Sequence, residues 1–293
     1  MSSSNPVVVG IDFSPASANT LHEAARIATV RKATLVVVHV MDASRVSHWL
    51  GSNRGAGEAE RLQQQAEEKL ADFVKKEAPG VEVRLVATTG RPSEVLQETI
   101  DRENADLLVI AANDTTRKRL GSTASRCVRT AHCDVLVLRD WQDKTFSKVV
   151  ACVDLSAATA TIVDRTAEFA KLGEPEVDFV TVIFPPGRDL WGETIASTPT
   201  DQDYHEACLT KARTSLEHAL EPAAEVLSGV NYTTNVIEAA DPAIRLTHYF
   251  AEVEADLVIL GTRGHSKLGA FFIGTNTERL LHDSPVSVLA VRV

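Results

Sequence analysis

Aromatic residues make up only 5% of this 293-residue chain, so its core has to be built from Val, Leu, Ile and Ala. Long apolar runs are also missing. None approaches the ~20 residues of a membrane-spanning helix. The polar stretch 1–5 runs straight into a strand-like segment and lacks the apolar region of a signal peptide, so a cytoplasmic location is expected. There is no basic excess. Thirty Lys and Arg against 40 Asp and Glu leave a formal charge of −10, which argues against a general nucleic-acid binder. The four cysteines, Cys127, Cys133, Cys152 and Cys208, form no CxxC pair. Zinc-ribbon and thioredoxin readings therefore fall away, and reduced structural thiols are expected. The nine histidines show no HExxH or other ligand spacing. His39 lies inside a strand pattern and reads as a core or edge residue. No metal site and no catalytic residue is marked by spacing.

Three phosphate-handling patterns are absent too. There is no GxxxxGK[ST], no GxGxxG after the first strand, and no paired glycine of the SGGxDS type in IDFSPASA or VDLSAATA. These absences argue against a kinase, a dehydrogenase and a PP-loop synthetase.

What is present is an alternation. Continuous β-branched or apolar runs at 6–13, 34–41, 81–88, 105–112 and 134–139 read as buried strands. Helical patterns fall between them at 16–31, 58–77, 93–102 and 121–131, with 42–57 read as a polar loop and 113–120 as another. Ser14 and Pro15 give a helix-start signal. Buried strands alternating with amphipathic helices predict an α/β fold, an open parallel sheet with helices on both faces.

After a polar linker at 140–147 the pattern restarts. KVVACVDL (148–155) repeats VVVGIDF, and Asp154 and Ser156 align with Asp12 and Ser14. Helix 157–171, strand 177–184, loop 185–203, helix 204–227, strand 231–238, strand 255–260, helix 275–282 and strand 284–289 follow in the same order. A period near 145 residues means two copies of a whole domain, 1–140 and 148–293. Each should be an open five-stranded parallel sheet.

In open α/β sheets ligands sit beyond the C-terminal strand ends. In the second half Asp154 ends the first strand, Val182 lies near the end of the second, and LVILGTRGHSKLGAFFIGT leaves the fourth. That last stretch carries Gly261, Gly264, Gly269 and Gly274, with Arg263, His265 and Lys267 among them. Strand, glycine loop and helix start make a plausible phosphate cradle. Taken alone, the stretch fits a ligand-free glycine connection as well. Asp154 likewise fits a ligand contact or a cap on the following helix. The first half is an internal control. Ala111 and Asp114 stand where Gly261 and Gly264 stand, and six residues separate Asp114 from Gly121 where nine separate Gly264 from Gly274. A carboxylate in a phosphate cradle repels phosphate, although Arg117, Lys118 and Arg119 offset part of that charge.

These residues resemble the universal stress protein family, as two such domains in tandem over nearly the whole chain. The resemblance rests on the strand-end Asp-x-Ser of Asp12/Ser14 and Asp154/Ser156, and on the Gly90-x-Pro92 turn. Its most specific part is the pattern G-x2-G-x9-G-[S/T] met by Gly261, Gly264, Gly274 and Thr275. It implies an adenine nucleotide alpha hydrolase-like, Rossmann-like fold and ATP as ligand, with an accompanying Mg²⁺ left open. Asp154 and the backbone near Val182 would hold adenine, while Cys152 and Gly261 would lie near the ribose. Gly264, Gly274, Thr275 and Asn276 would hold the phosphates, and Val153 and Leu260 complete the implied set. Ala240-Asp241-Pro242 departs from the family's turn glycine, at a place that reads as remote from the motif. The first half resembles members that do not bind ATP. The expectation is an ATP-binding regulatory or stress-response protein with one nucleotide site, in the second half. A slow ATPase using His265, Asp154 or Asp283 is one alternative. The other is a nucleotide-free module whose domains pair through their last strands, with a homodimer of chains left open.

Overall fold

A computed structural model describes residues 5–50, 56–112, 120–140, 145–184, 199–262 and 274–293. The chain divides into two compact units, residues 1–144 and 145–291.

The first unit runs β1 (Val7–Ile11), α1 (Ala16–Arg31), β2 (Leu35–Asp42), α2 (Ala43–Leu50), α3 (Ala56–Glu77), β3 (Val83–Gly90), α4 (Pro92–Glu103), β4 (Leu107–Ala111), α5 (Ser122–Thr130) and β5 (Asp134–Leu138). Its strands lie in the order β3-β2-β1-β4-β5, all parallel. The strand order reverses between β1 and β4. Right-handed crossovers toward β2 on one side and toward β5 on the other put their helices on opposite faces. Val7, Val8, Val9, Leu107, Leu108 and Val109 are fully buried, which is why these strands read as unbroken apolar runs. Helix α1 turns Leu21, Ala24, Ile27 and Ala28 onto them. Burying a Leu or Ile of this kind contributes about 1.5–3 kcal/mol.

The second unit repeats the plan with β6 (Lys148–Cys152), α6 (Ala158–Ala170), β7 (Glu176–Ile183), α7 (Pro199–Leu220), β8 (Tyr232–Glu238), α8 (Pro242–Glu252), β9 (Leu257–Gly261), α9 (Thr275–Asp283) and β10 (Ser287–Val291). The order is β8-β7-β6-β9-β10, parallel throughout. Among the described residues no helix is long and apolar enough to cross a membrane.

Two expectations are corrected. Residues 43–50, read as polar loop, form helix α2. Asp42 at the end of β2 accepts a hydrogen bond from the Ser44 amide at 2.9 Å, which starts a helix too short and polar to show a period. At the other correction, the long helix of the second unit stops at Leu220 instead of running to 227, and a 3-10 turn follows at Glu221–Ala223. Pro222 has no amide hydrogen and its ring would clash with the carbonyl one turn back. The same helix begins at Pro199, inside the stretch read as loop.

His39 is a structural histidine, as its strand pattern suggested. Its Nδ1 donates to the Ile11 carbonyl at 2.8 Å, and its ring lies 4.4 Å from that of Phe13. Burial pushes its pKa below 6.5; the Ile11 contact opposes this in part, and the Lys69 charge adds to it. A base whose folded pKa is depressed stabilises the fold above its unfolded value and loses that contribution as pH falls. Thermal unfolding should therefore show the melting temperature falling as pH drops below about 6.5, and falling less in His39→Gln. Equal pH slopes in the two proteins would refute this role.

Candidate functional site

The point where strand order reverses in the second unit lies between β6 and β9, and Cys152, Val153, Asp154, Leu260 and Gly261 stand at the ends of those two strands. Cys152 is the register partner of Leu260 on one side and of Val180 on the other. The Val153 amide donates to the Val180 carbonyl at 2.9 Å, so Asp154 leaves the sheet level with Val182. Gly261 closes β9 beside Val291. Gly274 caps α9, with Thr275 and Asn276 exposed in its first turn. Arg263, Gly264, His265, Lys267 and Gly269 lie outside the described residues, as do Asp114 and Arg117–Lys118–Arg119 of the first half.

Asp154 shapes its own turn. Its Oδ1 accepts from the Ser156 amide at 3.0 Å, and Leu155 between them sits in the left-handed region at φ 58°. The first unit does the same, with Asp12 accepting from the Ser14 amide at 2.9 Å and Phe13 at φ 59°. A non-glycine residue there costs roughly 1–2 kcal/mol. A carboxylate offers about four acceptor positions. Capping and ligand contact are thus compatible in one residue.

The two ends of the glycine loop are fastened by threonines that sequence reading missed. Thr277 Oγ1 donates to the Gly261 carbonyl at 3.2 Å, joining the first turn of α9 to the end of β9. Thr262, 2% exposed, donates its amide to the Val291 carbonyl at 2.9 Å. The repeat holds the signal that could have found the first of these. Ala124 stands where Thr277 stands and has no hydroxyl to give.

Among the described residues nothing requires a glycine at 274. Its φ of −58° and ψ of 141° suit any residue. A Cβ built there meets only the Thr277 hydroxyl among the described residues, at 3.8 Å. A glycine that the chain does not need leaves room for close approach by something else. The amides of the following turn lack intrahelical acceptors and carry the positive end of the helix dipole, which suits an anion.

The turn at Ala240-Asp241-Pro242 is not remote from the motif, and this expectation is corrected. Asp241 caps α8 through the Ile244 amide at 3.1 Å and takes both oxygens to Arg279 Nη1, at 3.0 and 2.8 Å. Arg279 is on α9, so the glycine-free turn is tied to the helix that opens at Gly274. Those contacts, the Ile244 amide first and Arg279 after it, hold the Asp241 pKa below the usual carboxylate range. Burial pushes the Cys152 thiol up to about 12, with the nearby Asp178 adding to the shift. At neutral pH it is a protonated, unreactive part of the wall. Cys127 is likewise raised to about 12 by burial. Among the described residues no cluster of three His, Cys, Asp or Glu could hold a metal.

Fold and site define a pair of open parallel-sheet α/β domains, with Gly261 and Gly274 on either side of the loop at the switch point of the second. Residues 4–139 and 145–292 each match the Universal stress protein family, and the chain belongs to it. It is 26% identical over 306 residues to Universal stress protein Rv2623 of Mycobacterium tuberculosis H37Rv, covering all of this chain and 99% of that one. Among solved structures it is similar to a universal stress protein from Archaeoglobus fulgidus, with a TM-score of 0.65, 16% identity, and 98% and 96% of the two chains covered. A protein described as functionally unknown, PA1789 of Pseudomonas aeruginosa PAO1, aligns with a TM-score of 0.67, 16% identity, and 98% and 92% covered. These structural likenesses concern the fold.

Proposed function

We propose that the chain is an ATP-binding regulatory protein of the stress family with one nucleotide site, in the second unit. The observation that carries this reading is Gly274, a glycine that nothing among the described residues requires, at the start of a helix whose first turn is bonded to the end of β9. Asp154 and the backbone around Val182 would take the base, and Cys152, Val153, Leu260 and Gly261 would border the ribose. The phosphates would lie along Gly264, Gly274, Thr275 and Asn276. ATP would contribute negative charge and binding energy at the loop, biasing the chain toward whichever conformation or assembly it binds better. A cytoplasmic setting, where adenine nucleotide is present, fits this role.

The residues of this chain do the positioning. Thr277 holds the α9 amides against β9, and Asp241–Arg279 holds α9 against α8. Thr277→Val keeps the shape and removes the donor. Losing one neutral hydrogen bond, net about 1 kcal/mol, should weaken ATP about fivefold. Thr277→Ser should restore it. Equilibrium dialysis of labelled ATP reads both. Unchanged affinity in the valine variant would refute the positioning role, and no measurable binding by the unsubstituted chain would refute the function.

A further inference from the structure

The two units treat their edge strands β3 and β8 differently. In the first, Gln63 of α3 donates its side-chain amide to the Ala87 carbonyl on the outer side of β3. With Ala66 and Leu70 of α3 matched to Ala212 and Leu216 of α7, Leu209 stands where Gln63 stands, and its side chain has nothing to donate. At the two ends of β8 the Val177 amide donates to the Asn231 carbonyl at 2.9 Å and the Ala239 amide to the Ile183 carbonyl at 3.0 Å. The parallel register then turns the backbone of Thr233, Asn235 and Ile237 toward β7, and that of Tyr232, Thr234, Val236 and Glu238 away from the sheet. Among the described residues no hydrogen bond reaches those outward groups. The strand also lacks what blunts an edge. It reads YTTNVIE, with no proline, no lysine and no charge before its last residue. Tyr232 is 41% exposed at its start.

We propose that β8 pairs antiparallel with β8 of a second copy of this chain, about a two-fold axis at Asn235. Register and charge point to a second copy as the occupant. The axis sets Thr234 opposite the partner's Val236 and Tyr232 opposite the partner's Glu238, so the outward amides and carbonyls of the two strands satisfy one another. Within each chain Glu238 Oε1 accepts from His205 Nε2 at 2.6 Å, and its second oxygen would receive the partner's Tyr232 hydroxyl. On the opposite face α8 runs back along β8. The Tyr249 hydroxyl lies 3.2 Å from the Asn235 amide nitrogen, which sets the middle of the helix level with the axis. Arg245 stands one turn before Tyr249 and Glu252 one turn beyond it, and the two are paired at 3.1 Å. The axis lays the partner's α8 alongside in the opposite sense, so Arg245 meets the partner's Glu252. An acid and a base placed on either side of a two-fold axis make the surface complementary to itself. The contact is isologous and closes at two chains. It stands apart from the nucleotide site and does not depend on it.

Sedimentation equilibrium of the full chain in nucleotide-free buffer reads the association. The expected species is a dimer, twice the 31.7 kDa of one chain. Thr234→Pro removes one outward amide and leaves the bonds to β7 in place, a position where an edge strand tolerates proline. It should weaken the dimer at least tenfold. Glu252→Arg sets two arginines against each other across the axis and should do the same. Adding Arg245→Glu to it exchanges the pair and should restore the parent's association. Melting curves show which variants have folded, and the charge exchange on α8 carries the test where the proline variant has not. A chain that stays monomeric up to about 0.1 mM would overturn the proposal. So would a dimer as tight in folded Thr234→Pro or in Glu252→Arg as in the parent, or a double exchange that restores nothing.

Discussion

With aspartate in place of Gly274, the chain should lose about a hundredfold or more in ATP affinity while keeping its melting temperature. The backbone at 274 is an ordinary helix cap, and a side chain has space among the described residues, so the fold has no reason to object. The penalty falls on the ligand. A carboxylate ~6 Å from a phosphate charge, at an effective dielectric of ~20, costs about 3 kcal/mol, or roughly a hundredfold in affinity. Gly274→Ala separates charge from bulk. It should fold equally well and lose less, about tenfold, since a methyl obstructs close approach without repelling. Calorimetric titration of the three proteins gives the ranking. Aspartate binding as tightly as glycine would remove the start of α9 from the site.

Replacing Asp178 by alanine should produce the largest loss of stability. Asp178 is 1% exposed on β7, and three side chains converge on its carboxylate. Thr233 Oγ1 donates at 3.1 Å, Asn235 Nδ2 at 2.8 Å, and the Tyr249 hydroxyl from α8. Burial first, and then the Asp178 contact, raise the Tyr249 pKa, so its hydroxyl stays protonated and donating. Hydrogen bonds to a charged group are worth about 1.5–3 kcal/mol each. Losing three donors' partner, less the carboxylate's own desolvation, leaves a net cost of about 3 kcal/mol. A unit of this size should then melt about 6–12 °C lower. Tyr249→Phe removes one donor and should cost about half as much. An alanine variant as stable as the parent would mean that desolvating the carboxylate cancels its bonds.

Much of the fold was legible because burial is written into composition. Strands covered on both faces read as VVVG, LLVI and LVIL, and the repeat doubled every reading. Helix α2 was not legible, because eight polar-rich residues depend on one cap from Asp42. The early end of α7 was legible in principle from Pro222, but the helix-forming residues on either side of it hid the stop. At the candidate site, Gly261, Gly274 and Asp154 are marked in the sequence by type and spacing. The parts that position them are not. Thr277 reaches a carbonyl 16 residues away and Arg279 a carboxylate 38 away, and the loop between gives no hint of either contact.

The central claim, that the second unit is the nucleotide-binding half, is tested most directly by counting ATP bound per full-length chain at saturation in calorimetry. The expected result is one ATP per chain, falling to none in Gly274→Asp over the same concentration range. Two equivalent sites, or one site that Gly274→Asp leaves intact, would contradict it.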